Sequence, residues 1–131
     1  MNRVVHFEIQ ADEPERAVVF YTKVFGWHIE QWPGLGYDYW MVMTADKDSK
    51  EPGISGGLLK RPVALTKDTC GSNAFVCTMQ VDDYDVIAEK ILAAGGKVAM
   101  PKFTIADMAW QGYFLDTEGN TFGVHQVIPK V

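Results

Sequence analysis

Between Val4 and Gln10 apolar and polar residues alternate, with Val5, Phe7 and Ile9 on one face and Val4, His6, Glu8 and Gln10 on the other. A period of two is that of a half-buried strand. The period then changes: Ala17, Phe20, Tyr21 and Val24 recur at i, i+3, i+4 and i+7, which predicts a helix packed through one apolar stripe. Asp12 is placed to cap this helix, Pro14 falls in its first turn, and Glu15 stands three residues after Asp12 as a capping-box partner. Gly26 is suited to end it in a left-handed conformation. Three further strands are expected, at Trp27 to Trp32, at the aromatic run Tyr37 to Met43, and at the glycine-rich stretch around Ile54 to Leu59. A Pro33-Gly34 turn and a polar loop from Thr44 to Pro52 separate them. Arg61 to Ser72 has no periodicity and reads as a connector.

The beginning of the chain then repeats. Under a shift of 70 positions His6 to Gln10 fall on Val76 to Gln80, Asp12 on Asp82, and Ala17, Tyr21 and Val24 on Ile87, Ile91 and Ala94. Asp82 is expected to cap a second helix with Tyr84, Ile87, Ala88 and Ile91 on its apolar side, ended by Gly95-Gly96. Strands follow around Lys97 to Met100, Trp110 to Leu115 and Thr121 to Val127. Each half is therefore βαβββ, and the chain reads as a single α+β domain over residues 1–131. Module one covers about 4–60, the connector about 61–72 and module two about 73–127. A four-stranded sheet with a helix on one face leaves its other face bare. Two such faces set opposite one another make a partly open barrel around a ligand cavity. If Val5, Phe7 and Ile9 pack on the first helix, then His6, Glu8 and Gln10 point inward.

Composition narrows the function classes. A length of 131 residues allows one domain with a real core, and 47% hydrophobic with 22% charged residues is ordinary for a globular chain. Twelve Lys and Arg against 17 Asp and Glu leave a net charge of −5, with no basic patch to neutralise phosphates, so nucleic acid is not expected as a partner. No apolar run is long enough to span a bilayer and the first residues lack a secretory signal, so a cytoplasmic protein without membrane contact is expected. Cys70 and Cys77 have neither CxxC spacing nor nearby histidines; Cys77 reads as a small buried hydrophobe and Cys70 as a loop thiol.

Four features together resemble the vicinal oxygen chelate superfamily, which includes glyoxalases, bleomycin-resistance proteins and extradiol dioxygenases. They are the paired βαβββ modules, PERAVVFYTKVFGW at Pro14 to Trp27, the VDD-helix-AAGG segment from Val81 to Gly96, and DTEGNTFGVHQ at Asp116 to Gln126. The resemblance runs from about Val4 to Gln126. It implies a divalent metal held by His, Glu or Gln on the first and last strands of each module. Those positions fall on His6, near Gly57, on Val76 and on Gly123. Three of the four cannot coordinate through a side chain, and a divalent ion needs several donors converging within about 2.0–2.6 Å. The resemblance therefore implies the fold without the standard metal, and no cofactor is expected.

The ligand-binding candidates are His6, Glu8 and His125 as polar contacts, with Trp40 and Trp110 as apolar walls for a flat ligand. Each has a plainer reading. His6 and Glu8 suit a polar strand face, His125 is as readily structural as functional, and the two tryptophans suit a core. Gly56-Gly57 lacks the Lys-Ser/Thr of a phosphate loop and is read as enlarging a cavity. The expected function is binding of a small organic molecule in the barrel. The alternatives are a metal-dependent lyase, isomerase or dioxygenase with noncanonical ligands drawn from His6, Glu8 and His125, a metal-free acid/base catalyst, or a stand-alone regulatory domain. The resemblance implies a homodimer.

Overall fold

Pro14 opens the first helix, where its missing N–H would have no intrahelical partner in any case. In the computed structural model, which describes residues 2–34, 36–64 and 75–130, this helix, α1, spans Pro14–Phe25. It buries Ala17, Phe20, Tyr21 and Val24, the stripe expected from the periodicity, and it ends on Gly26 at φ 71° with the Gly26 N–H donating to Thr22 O. The capping differs from expectation. Glu13, not Asp12, is the N-cap residue and makes no side-chain cap, its carboxylate pairing with Arg16, while the Asp12 carboxylate accepts from Arg61 Nε at 3.1 Å. Arg61 also donates through Nη2 to Gln10 O at 3.0 Å, so this pair ties the end of the first strand to the end of the fourth.

Around α1 run β1 (Glu8–Ala11), β2 (His28–Gln31), β3 (Tyr39–Met43) and β4 (Gly56–Lys60). They form one mixed sheet in the order β1-β4-β3-β2, with β1 parallel to β4 and the other pairs antiparallel. Ile9, Leu58 and Trp40 sit side by side across three strands, and with Ala11 and Val42 they are buried under the helix. The strand expected from Val4 begins only at Glu8, and Val5 is 80% exposed, so it does not join this core. Phe7, Tyr21, Phe25 and Trp27 stack beside it and close off the end of α1.

The second half repeats the plan. It contains β5 (Thr78–Gln80), α2 (Tyr84–Ala93), β6 (Lys97–Ile105), β7 (Ala109–Leu115) and β8 (Thr121–Val127), with sheet order β5-β8-β7-β6 and β5 parallel to β8. The cap again lies one residue beyond the expected one: Asp83, not Asp82, accepts from Val86 N at 3.1 Å. Phe114, Phe122 and Val124 form the buried face with Tyr84 and Ile91. Tyr84 N donates to Gln126 Oε1 at 2.7 Å, which fixes the start of α2 to β8. Cys77 is exposed, which corrects its reading as a buried hydrophobe, since it precedes the short β5 where no helix covers it. Cys70 lies outside the described residues.

The fold is thus α+β, two tandem modules each with one four-stranded mixed sheet and one helix. By contacts the chain divides into two compact units, Met1–Leu65 and Thr66–Val131. Among the described residues no helix is long and apolar enough to cross a membrane.

Candidate functional site

Residues directly paired across strands share a face of the sheet. On the face of the first sheet away from α1, Glu8 is paired with Gly57 and Gly57 with Met41, while Gln10 is paired with Leu59 and Leu59 with Tyr39. Gly57 leaves a gap in this face, and Tyr39 fills it. A Cβ on Gly57 would lie 1.8 Å from the Tyr39 hydroxyl. That hydroxyl donates to Glu8 Oε2 at 3.0 Å, and its oxygen lies 3.0 Å from His6 Nε2. Since the phenol's one proton goes to Glu8, His6 supplies the hydrogen of the second bond. His6 and Glu8 themselves are 4.0 Å apart, with the hydroxyl between them. The structure therefore brings together the two expected residues of the first module and adds Tyr39. No local period singles out Tyr39: the register of β3 with β4 places odd positions of β3 on the face of Glu8 and even ones in the core.

The Tyr39 hydroxyl is pushed from 10.0 up to about 12, first by burial, then by its hydrogen bond to Glu8 and by that residue's negative charge. A phenol whose affinity for its proton is raised by folding stabilises the folded state fully below pH 10.0. That contribution falls away as pH rises through about 12, because the unfolded chain has by then lost the proton that the folded chain must still give up. Stability is therefore expected to decline between these limits in the wild type and to decline less in Tyr39→Phe. Paired urea titrations across the window would measure the difference, and identical pH profiles would refute the bridging role. Tyr37 packs edge-to-face on Tyr39 at 6.2 Å. Beside it an open hollow of about 590 Å³ is walled by Trp32, Pro33 and Tyr37.

The second sheet has the same construction with different residues. Thr78 is paired with Gly123 and Gly123 with Tyr113, while Gln80 is paired with His125 and His125 with Gln111. Gln111 crosses over Gly123 to reach Thr78 Oγ1 at 3.4 Å through its Nε2, and its Oε1 lies 2.7 Å from His125 Nδ1. A Cβ on Gly123 would come within 2.5 Å of Thr78 Oγ1 and 2.8 Å of Gln111 Nε2. Phe103, paired with Gln111, stacks on Tyr113 at 6.4 Å.

The two tryptophans lie on the other face. Trp40 is buried beside Leu58 in the core under α1. Trp110 is paired with Gln126, the residue that holds the start of α2, and the Lys102 ammonium sits 4.8 Å from its ring centre. Neither shares a face with His6 and Glu8 or with His125.

The donor set does not fit a divalent ion held as the resemblance would have it. Gly57 and Gly123 offer no side-chain donor, and the spaces above them are taken by the Tyr39 hydroxyl and by Thr78 with Gln111. Among the described residues no three His, Cys, Asp or Glu side chains converge.

The family model described as the Glyoxalase/Bleomycin resistance protein/Dioxygenase superfamily matches residues 3–124. Proteins named "Putative glyoxylase CFP32", from Mycobacterium bovis and Mycobacterium tuberculosis, are 29% identical over 126 residues, covering 91% of this chain and 43% of theirs. The chain thus spans less than half the length of these curated relatives. Among solved structures, TnmS3, an antibiotic binding protein from Streptomyces sp. CB03234, superposes with a TM-score of 0.67 at 22% identity, over 97% of this chain and 97% of its own. FosX, the genomically encoded fosfomycin resistance protein of Listeria monocytogenes, gives a TM-score of 0.67 at 15% identity, over 96% of this chain and 93% of its own. At these identities the likeness is one of fold.

Proposed function

Because the chain belongs to the glyoxalase/bleomycin resistance protein/dioxygenase superfamily, whose fold commonly binds small molecules, we propose that it binds a small organic molecule on the sheet faces its helices leave bare, without the family's usual divalent metal. The observation that carries this reading is the filling of the two glycine gaps. Where a metal-holding module would need donors, this one has hydrogen-bonded side chains, His6 with Tyr39 and Glu8 in one sheet and Thr78 with Gln111 and His125 in the other. Such groups orient a ligand by its polar atoms while neighbouring aromatic rings supply contact area. The name of TnmS3, an antibiotic binding protein, points the same way. Pairing of two copies belongs to the same proposal, since β1, β2, β5 and β6 are edge strands.

The test is a thermal-shift screen of small aromatic and thiol-conjugated compounds, run with and without a chelator. A true ligand at about one hundred times its Kd should add about 2.7 kcal/mol of stability, a shift of several degrees, unchanged by chelation. A shift that requires added Ni, Zn, Mn or Fe(II) and is lost in His6→Ala would overturn the metal-free reading in favour of a metalloenzyme with noncanonical ligands.

A further inference from the structure

Gln111 is only 4% exposed, yet its side chain lies on the face of the second sheet that α2 does not cover. A buried carboxamide has a donor end and an acceptor end, and both must be satisfied. Here Nε2 faces Thr78 Oγ1 and Oε1 faces His125 Nδ1 at 2.7 Å, a short contact that requires the imidazole hydrogen to be on Nδ1. This is not the form an isolated histidine side chain favours, which carries its hydrogen on Nε2. The second ring nitrogen of His125 is then a lone-pair acceptor, and among the described residues nothing bonds to it. Across the same row of the sheet stand Phe103, Gln111, His125 and Gln80, with Tyr113 stacked on Phe103. An aromatic shelf and an oriented acceptor therefore lie about two strand spacings apart, close to 10 Å, so a small aromatic molecule with a polar group can reach from one to the other.

We propose that Gln111 is a positioning residue that holds His125 as the Nδ1–H tautomer, so that His125 Nε2 accepts a hydrogen bond from an O–H or N–H of an aromatic ligand resting against Phe103 and Tyr113. This deepens the small-molecule reading and rests on it. The ligand class follows from the polarity of the site: an acceptor nitrogen rewards a donor, and no cation is needed to complete the contact. A phenol, an anilide or a heteroaromatic N–H meets that requirement, whereas the same ring without a donor leaves Nε2 desolvated and unbonded.

Long-range proton–nitrogen correlation NMR on the whole chain reads the tautomer of His125 directly, its signals assigned by their loss in His125→Phe. The wild type is expected to show hydrogen on Nδ1, and Gln111→Leu to move it to Nε2 while the rest of the amide spectrum stays in place. Titration with para-cyanophenol should shift the His125 Nε2 resonance and give an affinity about threefold to tenfold above that of benzonitrile. That preference should disappear in Gln111→Leu. Hydrogen found on Nε2 in the wild type overturns the positioning role, whatever the protein binds. Equal affinity for the two ring compounds, or none for either, overturns the donor-ligand assignment. Hits in the chelator-insensitive screen would in that case leave the broader binding function standing, and their absence would remove it separately.

Discussion

Gly56→Ala is expected to destabilise the protein by about 3 kcal/mol or more, at the upper end of what one added methyl does in a packed interior. The reason is what the methyl would meet. A Cβ at Gly56 would lie 2.2 Å from the carbonyl oxygen of Phe7 and 2.9 Å from two atoms of its ring. That carbonyl accepts the Gly57 N–H at 2.9 Å, so it cannot retreat without breaking the bond that starts the parallel ladder between β1 and β4. The neighbouring substitution is the control. In Gly57→Ala the clash is with the end of the Tyr39 ring, a side chain that can swing toward solvent. That change should cost at most about 1.5 kcal/mol and return Tyr39 ionisation from about 12 toward the ordinary 10.0. Urea unfolding followed by tryptophan fluorescence compares the stabilities, and ultraviolet titration reads the phenol. A Gly56→Ala protein as stable as the wild type would show that β1 and β4 are not packed this closely.

The two glycines also mark how far the sequence could be read. Patterns set by a local period were legible: the stripe of α1, the αL glycine at 26 and the 70-residue repeat all appear as expected. The repeat holds to the residue at several points, with Pro14 and Tyr84 each opening a helix and Glu8 and Thr78 each paired with a glycine of the fourth strand of their sheet. Apart from the α2 cap, which moves by one residue to Asp83, the following expectations failed on partners distant in the chain. Asp12 looked like a cap because its neighbours fit, but Arg61, 49 residues away, takes its carboxylate. Val5 fits the alternation, yet the β1 to β4 ladder reaches back only to Glu8. Trp40 and Trp110 were read as matching walls, which needed the parity of β3 and β7, and that parity is fixed by registers with β4 and β8 that no local period reveals.

The same logic explains why Tyr39 and Gln111 were missed. Neither is unusual in its own strand; each matters because a glycine on the next strand leaves room to cross over and reach the first strand. They occupy matching places in the two sheets, Tyr39 reaching Glu8 and Gln111 reaching Thr78. The modules thus keep one geometric device and fill it with different chemistry. One gives a carboxylate, a phenol and an imidazole; the other gives an amide, a hydroxyl and an imidazole. Only the first contains a carboxylate.

Asp116→Ala should cost about 3–5 kcal/mol, because the carboxylate organises the turn that delivers β8 to β7. Asp116 is 4% exposed. Its Oδ1 accepts from the backbone N–H groups of Glu118 at 2.8 Å and Asn120 at 2.9 Å, and its Oδ2 accepts from Asn120 Nδ2 at 3.1 Å. Alanine would remove the carboxylate that accepts from both backbone donors, one of them on Glu118, which is 2% exposed. Asp116→Asn keeps one oxygen for both amides but sets an NH2 group against Asn120 Nδ2, so it loses that hydrogen bond as well as charge assistance, and about 2 kcal/mol is expected there. The loss reaches the site as well. Beyond this turn β8 carries Gly123 and His125 into register with Tyr113 and Gln111, so loosening it should blur the His125 tautomer before the sheet unfolds. Calorimetric melting of both variants, with the His125 nitrogen shifts recorded below each transition, separates the two effects. A stable Asp116→Ala protein with unchanged His125 signals would show that the β7 to β8 ladder needs no carboxylate to hold its register.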